Sequence, residues 1–145
     1  MRENIGLFHG KRKDNGEWVE GYLFDDSAID NARFFIGALV IEEYEGPCCD
    51  DWKIGSSFHE VIPETIGECT SVPDKNGKRI FEGDIVEGAD FTVEDGGYGV
   101  VEYNDGAFEV NGNNVTGTFH ENYWGREFEV IGNIHDNPEL LKGAD

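Results

Sequence analysis

The apolar positions of this chain fall in short runs of two-residue period, separated by breaks rich in glycine, aspartate and asparagine, and that pattern predicts a succession of short strands. Ile5-Gly6-Leu7-Phe8 and Trp18-Val19-Glu20-Gly21-Tyr22-Leu23-Phe24 flank a basic turn ending in Asp14-Asn15-Gly16, so residues 5 to 24 read as a hairpin. Asp25 to Asn31 is polar and fits one helical turn capped by Asp25 or Asp26. Ala32 to Ile41 is the most continuously apolar run and fits a strand buried on both faces, although a short helix has the same signature. Glu42 to Ser57 breaks into Gly, Pro, Cys and Asp and reads as a loop, after which Ser57 to Ile62 reads as a strand closed by Pro63 to Gly67.

Val61 to Val86 organises the rest. Asp74-Lys75-Asn76-Gly77 is a turn signal in which Asn76 and Gly77 suit positive φ, and Glu82-Gly83-Asp84 makes a second bend before Ile85-Val86. Asn76, Gly77, Gly83 and Asp84 are therefore expected to be structural turn residues. Further on, Tyr98 to Tyr103 and Ala107 to Val110 flank Asn104-Asp105-Gly106, a hairpin with a turn of about three residues. Glu127 to Ile134 alternates as a last strand, and Asn137-Pro138-Glu139-Leu140-Leu141 starts a short helix with Asn137 as N-cap and Gly143 as its stop. The fold expected is mainly β, a β-rich α+β domain of antiparallel strands. A small SH3-like barrel closes the C-terminal half in this reading, residues 63 to 145, after N-terminal strands and a loop in residues 1 to 62 of the same domain.

The run PETIGECTSVPDKNGKRIFEGDIV, with GVVEYNDGAF and FEVIGNIHDNPELL after it, resembles the YopX family of small bacteriophage and prophage proteins. The resemblance covers mainly Val61 to Leu141, with weaker agreement around Trp18-Val19-Glu20-Gly21. It implies a phage-derived intracellular protein and supplies no catalytic residues to carry over.

Charge narrows the function classes. The net charge is −20 over 145 residues, with 15 acids against 6 bases in residues 1–72 and 16 against 5 in residues 73–145. So even a distribution describes an acidic folded surface and not an acidic tail, and it argues against direct contact with nucleic-acid phosphates or anionic membranes. Recurrent Val, Ile, Phe, Tyr and Trp argue for a folded chain in spite of that charge. Met1 to Gly10 lacks the apolar core of a signal peptide, and no run approaches a membrane span. With three cysteines, Cys48, Cys49 and Cys69, a reducing cytoplasm with free thiols is the expected compartment. Without secretion, the sequon at Asn114-Val115-Thr116 is a chance match.

Catalytic and metal signatures are weak. His9, His59, His120 and His135 are scattered, the adjacent pair Cys48-Cys49 lacks zinc spacing, and no metal or other cofactor is expected. Counted from Asp74, the calcium-loop positions that need glycine and glutamate hold Arg79 and Ile85. Gly97-Tyr98-Gly99 begins a phosphate-loop pattern that Glu102 breaks. With 31 acids, carboxylate pairs arise by chance, and no nucleophile elbow is present.

The expectation is a noncatalytic phage accessory protein that acts through protein contacts as a homo-oligomer, with a host or phage protein as a further partner. Phe119, Tyr123 and Trp124, aromatic residues in a polar setting, are its candidate interface, although they equally fit the closure of a barrel core. Two alternatives stand beside it. One is an acidic DNA mimic that inhibits a host DNA-binding enzyme; the other is a metal-assisted hydrolase using Asp90, Glu94 or Asp95 with His120.

Overall fold

A computed structural model describes residues 6–26, 33–45, 50–88, 97–113, 115–118 and 128–142. In chain order the elements are β1 (Leu7–Lys11), β2 (Trp18–Asp25), β3 (Phe34–Glu45), β4 (Asp50–Val61), a 3-10 turn (Pro63–Thr65), β5 (Gly67–Pro73), β6 (Arg79–Phe81), β7 (Asp84–Gly88), β8 (Gly97–Asn104), β9 (Ala107–Asn113), β10 (Val115–Thr118), β11 (Phe128–Asn133) and α1 (Glu139–Lys142). The fold is mainly β, with antiparallel pairing and one short helix. The chain divides into two compact units, one spanning Gly6–Ile66 and the other holding Gly67–Asp145.

In the N-terminal unit the strands run β4-β3-β2-β1. The β3–β4 pair is longer than the sequence pattern predicts, because Phe34 to Glu45 registers residue for residue against Asp50 to Val61. Glu42 to Ser57, expected as a loop, is therefore strand over most of its length. Cross-strand pairing overrides the low strand preference of its charged residues, since β propensity depends on the partner across the ladder. Ala32 to Ile41 was expected to be buried on both faces; Ile36 is fully buried, whereas Ala38 is exposed.

The row of strands curls at one end. Arg12 bridges to Val61, the Ile62 amide donates to the Lys11 carbonyl at 2.9 Å, and the Lys13 amide donates to the Glu60 carbonyl at 2.9 Å. Thr65 locks this end: its Oγ1 accepts from the Lys11 amide at 2.9 Å and donates to the Ile62 carbonyl at 2.6 Å. Inside the curl Ile36 and Val61 pack over Gly10, where a Cβ would come within 3.1 Å of Ile36 Cδ1 and 3.3 Å of Val61 Cβ.

In the C-terminal unit β5 pairs with β6, and five strands run β10-β9-β8-β7-β11. The described strands make an open row with β10 and β11 at its ends, and the SH3-like closure expected from the sequence is not part of it. Ile80, Val86, Val101, Val110 and Phe128 form its core, with Val130 packed against them. Full burial of such side chains stabilises by about 1.5–3 kcal/mol each. The β8–β9 hairpin has a two-residue turn, since Asn104 pairs with Ala107, and Asp105 and Gly106 both take positive φ, 50° and 85°. That is the backbone of a primed turn, one residue shorter than expected.

Strand β11 is fixed by the Asp74 turn as well as by β7. The Lys75 amide donates to the Phe128 carbonyl at 2.8 Å, and the Val130 amide donates to Asp74 Oδ2 at 3.1 Å. Past β11 the Asn137 side chain accepts from the Asn133 amide at 3.3 Å and so holds the strand end, while its carbonyl accepts from the Leu140 amide at 3.1 Å at the start of α1. Gly143 lies outside the described residues.

Candidate functional site

Antiparallel partners point to the same face of a sheet, so the register of the N-terminal unit assigns its two faces. Leu7, Tyr22, Gly37 and Phe58 lie in one row across β1, β2, β3 and β4. Phe24, Phe35 and Glu60 make the next row on that face, and Glu20 opposite His9, then Trp18 opposite Lys11, continue it in the other direction. The other face carries Gly10, Ile36 and Val61, the buried side of the curl.

The first face is aromatic and open to water. Tyr22 is 51% exposed and Phe24 40% exposed, while Trp18, Phe35 and Phe58 are half-buried around them. Phe24 meets Phe58 edge to face with ring centroids 4.7 Å apart, although β3 lies between their strands. Gly37 permits this, because a Cβ there would sit 1.9 Å from the Ser57 carbonyl oxygen and 2.7 Å from Phe58 Cδ1. At the β1 end, the buried His9 ring lies 4.5 Å from the Trp18 ring.

Two cations already rest on rings of this face. Lys11 Nζ is 5.6 Å from the Trp18 ring centroid, and the Arg33 guanidinium is 5.4 Å from that of Phe35. Arg33 is oriented by Asp26, which accepts its Nε–H at 2.8 Å and also its backbone amide. The side-chain hydrogen bond from Arg33 holds the Asp26 carboxyl below its ordinary range, and the same bond raises the guanidinium. Glu20 and Glu60 lie on the same face by register, and Glu60 meets Lys13 Nζ at 3.3 Å.

The turn residues singled out in the sequence lie in the other unit. Gly77 and Gly83 both have positive φ, 81° and 92°, where a Cβ is strained. Asn76 donates its backbone amide to Asp74 Oδ1 at 2.8 Å, and its side chain donates to Glu129 at 3.4 Å. The Asp84 carboxylate is buried and accepts from the Phe81 amide at 2.9 Å, so it does cap the second bend. The residue that holds the region together is Asp74, 5% exposed, with Oδ1 accepting from Asn76 and Lys78 and Oδ2 from Val130. Its signal was present: an aspartate opening a turn bonds the backbone two residues on.

Phe119, Tyr123 and Trp124, and the hydrolase candidates Asp90, Glu94, Asp95 and His120, lie outside the described residues. Among the described residues no group of three His, Cys, Asp or Glu side chains is arranged to hold a metal ion. No described helix is long and apolar enough to cross a membrane. Cys69 is a buried cysteine. Sequence reading overlooked Tyr22 and Phe24 as a surface, although Trp18, Glu20, Tyr22 and Phe24 recur at every second position of β2.

The family model described as YopX protein matches residues 7–142. Among solved structures the chain is similar to the crystal structure of protein EF1440 from Enterococcus faecalis, with 24% identity, a TM-score of 0.55, and coverage of 92% of this chain and 96% of that one. At that identity the likeness concerns the fold alone. Among curated proteins there is no match.

Proposed function

As the chain belongs to the YopX family over nearly its whole length, we propose that it is a noncatalytic accessory protein of phage origin that works inside the bacterial cell by binding other proteins. The observation that carries this reading is the aromatic sheet face, where Tyr22 and Phe24 stand exposed among Trp18, Phe35 and Phe58. Aromatic side chains present large apolar area with few rotatable bonds, and they are enriched where interfaces concentrate their binding energy. Homo-oligomerisation belongs to the same proposal, with Phe119, Tyr123 and Trp124 as its contact residues. An SH3-like closure of the C-terminal strands belongs to it as architecture only.

Size-exclusion chromatography with light scattering tests self-association. Because each copy carries a net charge of −20, an oligomer should tighten as salt screens the repulsion. A monomer at every salt concentration through the micromolar range would remove the oligomer. For the heterologous contact, cross-linking in cells should trap a partner that a Tyr22→Ala/Phe24→Ala variant loses; equal trapping by that variant would remove the aromatic face from the reading.

A further inference from the structure

We propose that the aromatic face of the N-terminal unit docks a basic segment of a partner protein, with arginine side chains stacked on Tyr22 and Phe24 and paired with the carboxylates beside them. The proposal rests on the reading of this face as a protein-contact surface and specifies the chemistry of what it takes.

Three observations select a basic segment. The face already holds cations on rings at two places, Lys11 over Trp18 and Arg33 over Phe35. Tyr22 lies between those places and Phe24 lies directly beside Phe35, and the two are the most exposed large apolar side chains described in this unit. A guanidinium laid on either ring gains the attraction between a cation and the ring quadrupole, and it buries apolar ring surface while its edge stays hydrogen-bonded.

The second observation is the placement of carboxylates. Glu20 precedes Tyr22 by two positions on the same face of β2, and Glu60 lies in the row of Phe24 and Phe35. Arg33 shows the arrangement within the chain itself, with its guanidinium bonded to Asp26 while it lies over Phe35. An incoming arginine repeats that pattern between Tyr22 and Glu20.

Third, the net charge of −20 draws a basic segment in and opposes both a second copy of this chain and an acidic partner. Salt dependence thus separates the occupants. A basic partner weakens as salt rises, whereas a second copy strengthens.

The test titrates the full chain with a synthetic hexa-arginine peptide and with hexa-lysine, by calorimetry at low and at physiological salt. Hexa-arginine should bind more tightly than hexa-lysine, since the planar guanidinium stacks and the ammonium does not. Tyr22→Ala/Phe24→Ala should weaken hexa-arginine binding about tenfold, the effect of losing two exposed cation–π contacts. Tyr103→Ala, which removes a ring 49% exposed in the other unit, should leave it within about twofold, less than one such contact. Should the double variant fail to fold by circular dichroism, Tyr22→Ser alone should weaken binding about threefold, one contact's worth.

Equal binding by parent and aromatic variants, or an equal loss in Tyr103→Ala, would overturn the proposal in favour of unspecific attraction to the acidic surface. Absence of hexa-arginine binding at low salt would overturn it as well. In either case, a cross-linked partner that the aromatic variant still loses would leave the protein-contact reading standing with a different partner chemistry.

Discussion

Replacing Asp74 by alanine should destabilise the protein more than most single substitutions. The side chain is 5% exposed and accepts three backbone amides: Asn76 at 2.8 Å, Lys78 at 2.8 Å and Val130 at 3.1 Å. A hydrogen bond to a charged group contributes about 1.5–3 kcal/mol, but such contributions are not additive within one carboxylate. Asn76 and Lys78 are exposed, so water reaches their amides after the substitution, whereas Val130 is half-buried and its amide regains less. The expected loss is about 3–4 kcal/mol for Asp74→Ala, a large part of the roughly 5–15 kcal/mol that holds a domain folded. Asp74→Asn keeps an acceptor for the turn but points an amide at the Val130 N–H, so its loss should be about 1–2 kcal/mol. Urea unfolding gives the stabilities, and an unchanged m-value shows that the variants share one unfolding reaction. Amide exchange at Val130 should accelerate in both variants. An alanine variant within about 1 kcal/mol of the parent, the size of an ordinary neutral hydrogen bond, would refute this account of the turn.

Gly37→Ala should abolish soluble folded protein, because the new Cβ meets the Ser57 carbonyl oxygen at 1.9 Å; normal yield and melting temperature would show that β3 and β4 can separate there. Gly77→Val and Gly83→Val should each lower the melting temperature through backbone strain of roughly 1 kcal/mol or more, since both sites have positive φ and no atom closer than 3.9 Å to a new Cβ. Asp84→Ala should cost about 1–3 kcal/mol in urea unfolding by removing the buried carboxylate that accepts from the Phe81 amide. Glu82→Gln should raise the melting temperature at pH 7. Burial, the largest cause, and then Glu68 and Glu102 raise the Glu82 carboxyl above its usual 4.5. A raised acid favours the folded state below its unfolded pKa, and that contribution is lost as pH rises through the folded pKa. The gain from glutamine should therefore shrink on acidification to pH 4, in melts recorded across that range.

The legible parts of the fold were those whose signal is local. Asn104 to Gly106 and Asp74 to Gly77 announce turns by residue type alone, so both could be placed before any tertiary contact was known, although the first proved one residue shorter and, in the second, Gly77 and not Asn76 takes the positive φ. Strands β5 and β10 carried no such mark, and β3 and β4 outran their apolar cores because twelve paired residues on each hold polar ends in the ladder. For the candidate site, the alternation of Trp18, Tyr22 and Phe24 was legible as a strand. Which of its faces meets water was not, because that follows from the curl joining Arg12 to Val61, a contact 49 positions apart in the chain.

The Asp74 turn also bears on solubility. A strand at the end of a sheet offers main-chain groups to any other strand and so templates aggregation. On β11 those groups are occupied at three points: the Phe128 carbonyl by Lys75, the Val130 amide by Asp74, and the Asn133 amide by Asn137. The turn, which lies within the run that carries the family resemblance, thus blocks strand addition at that rim, and losing its carboxylate should remove protection as well as stability. Under conditions where Asp74→Ala and an equally destabilised core variant such as Val101→Ala are both still folded, the Asp74 variant should form thioflavin-positive aggregate sooner.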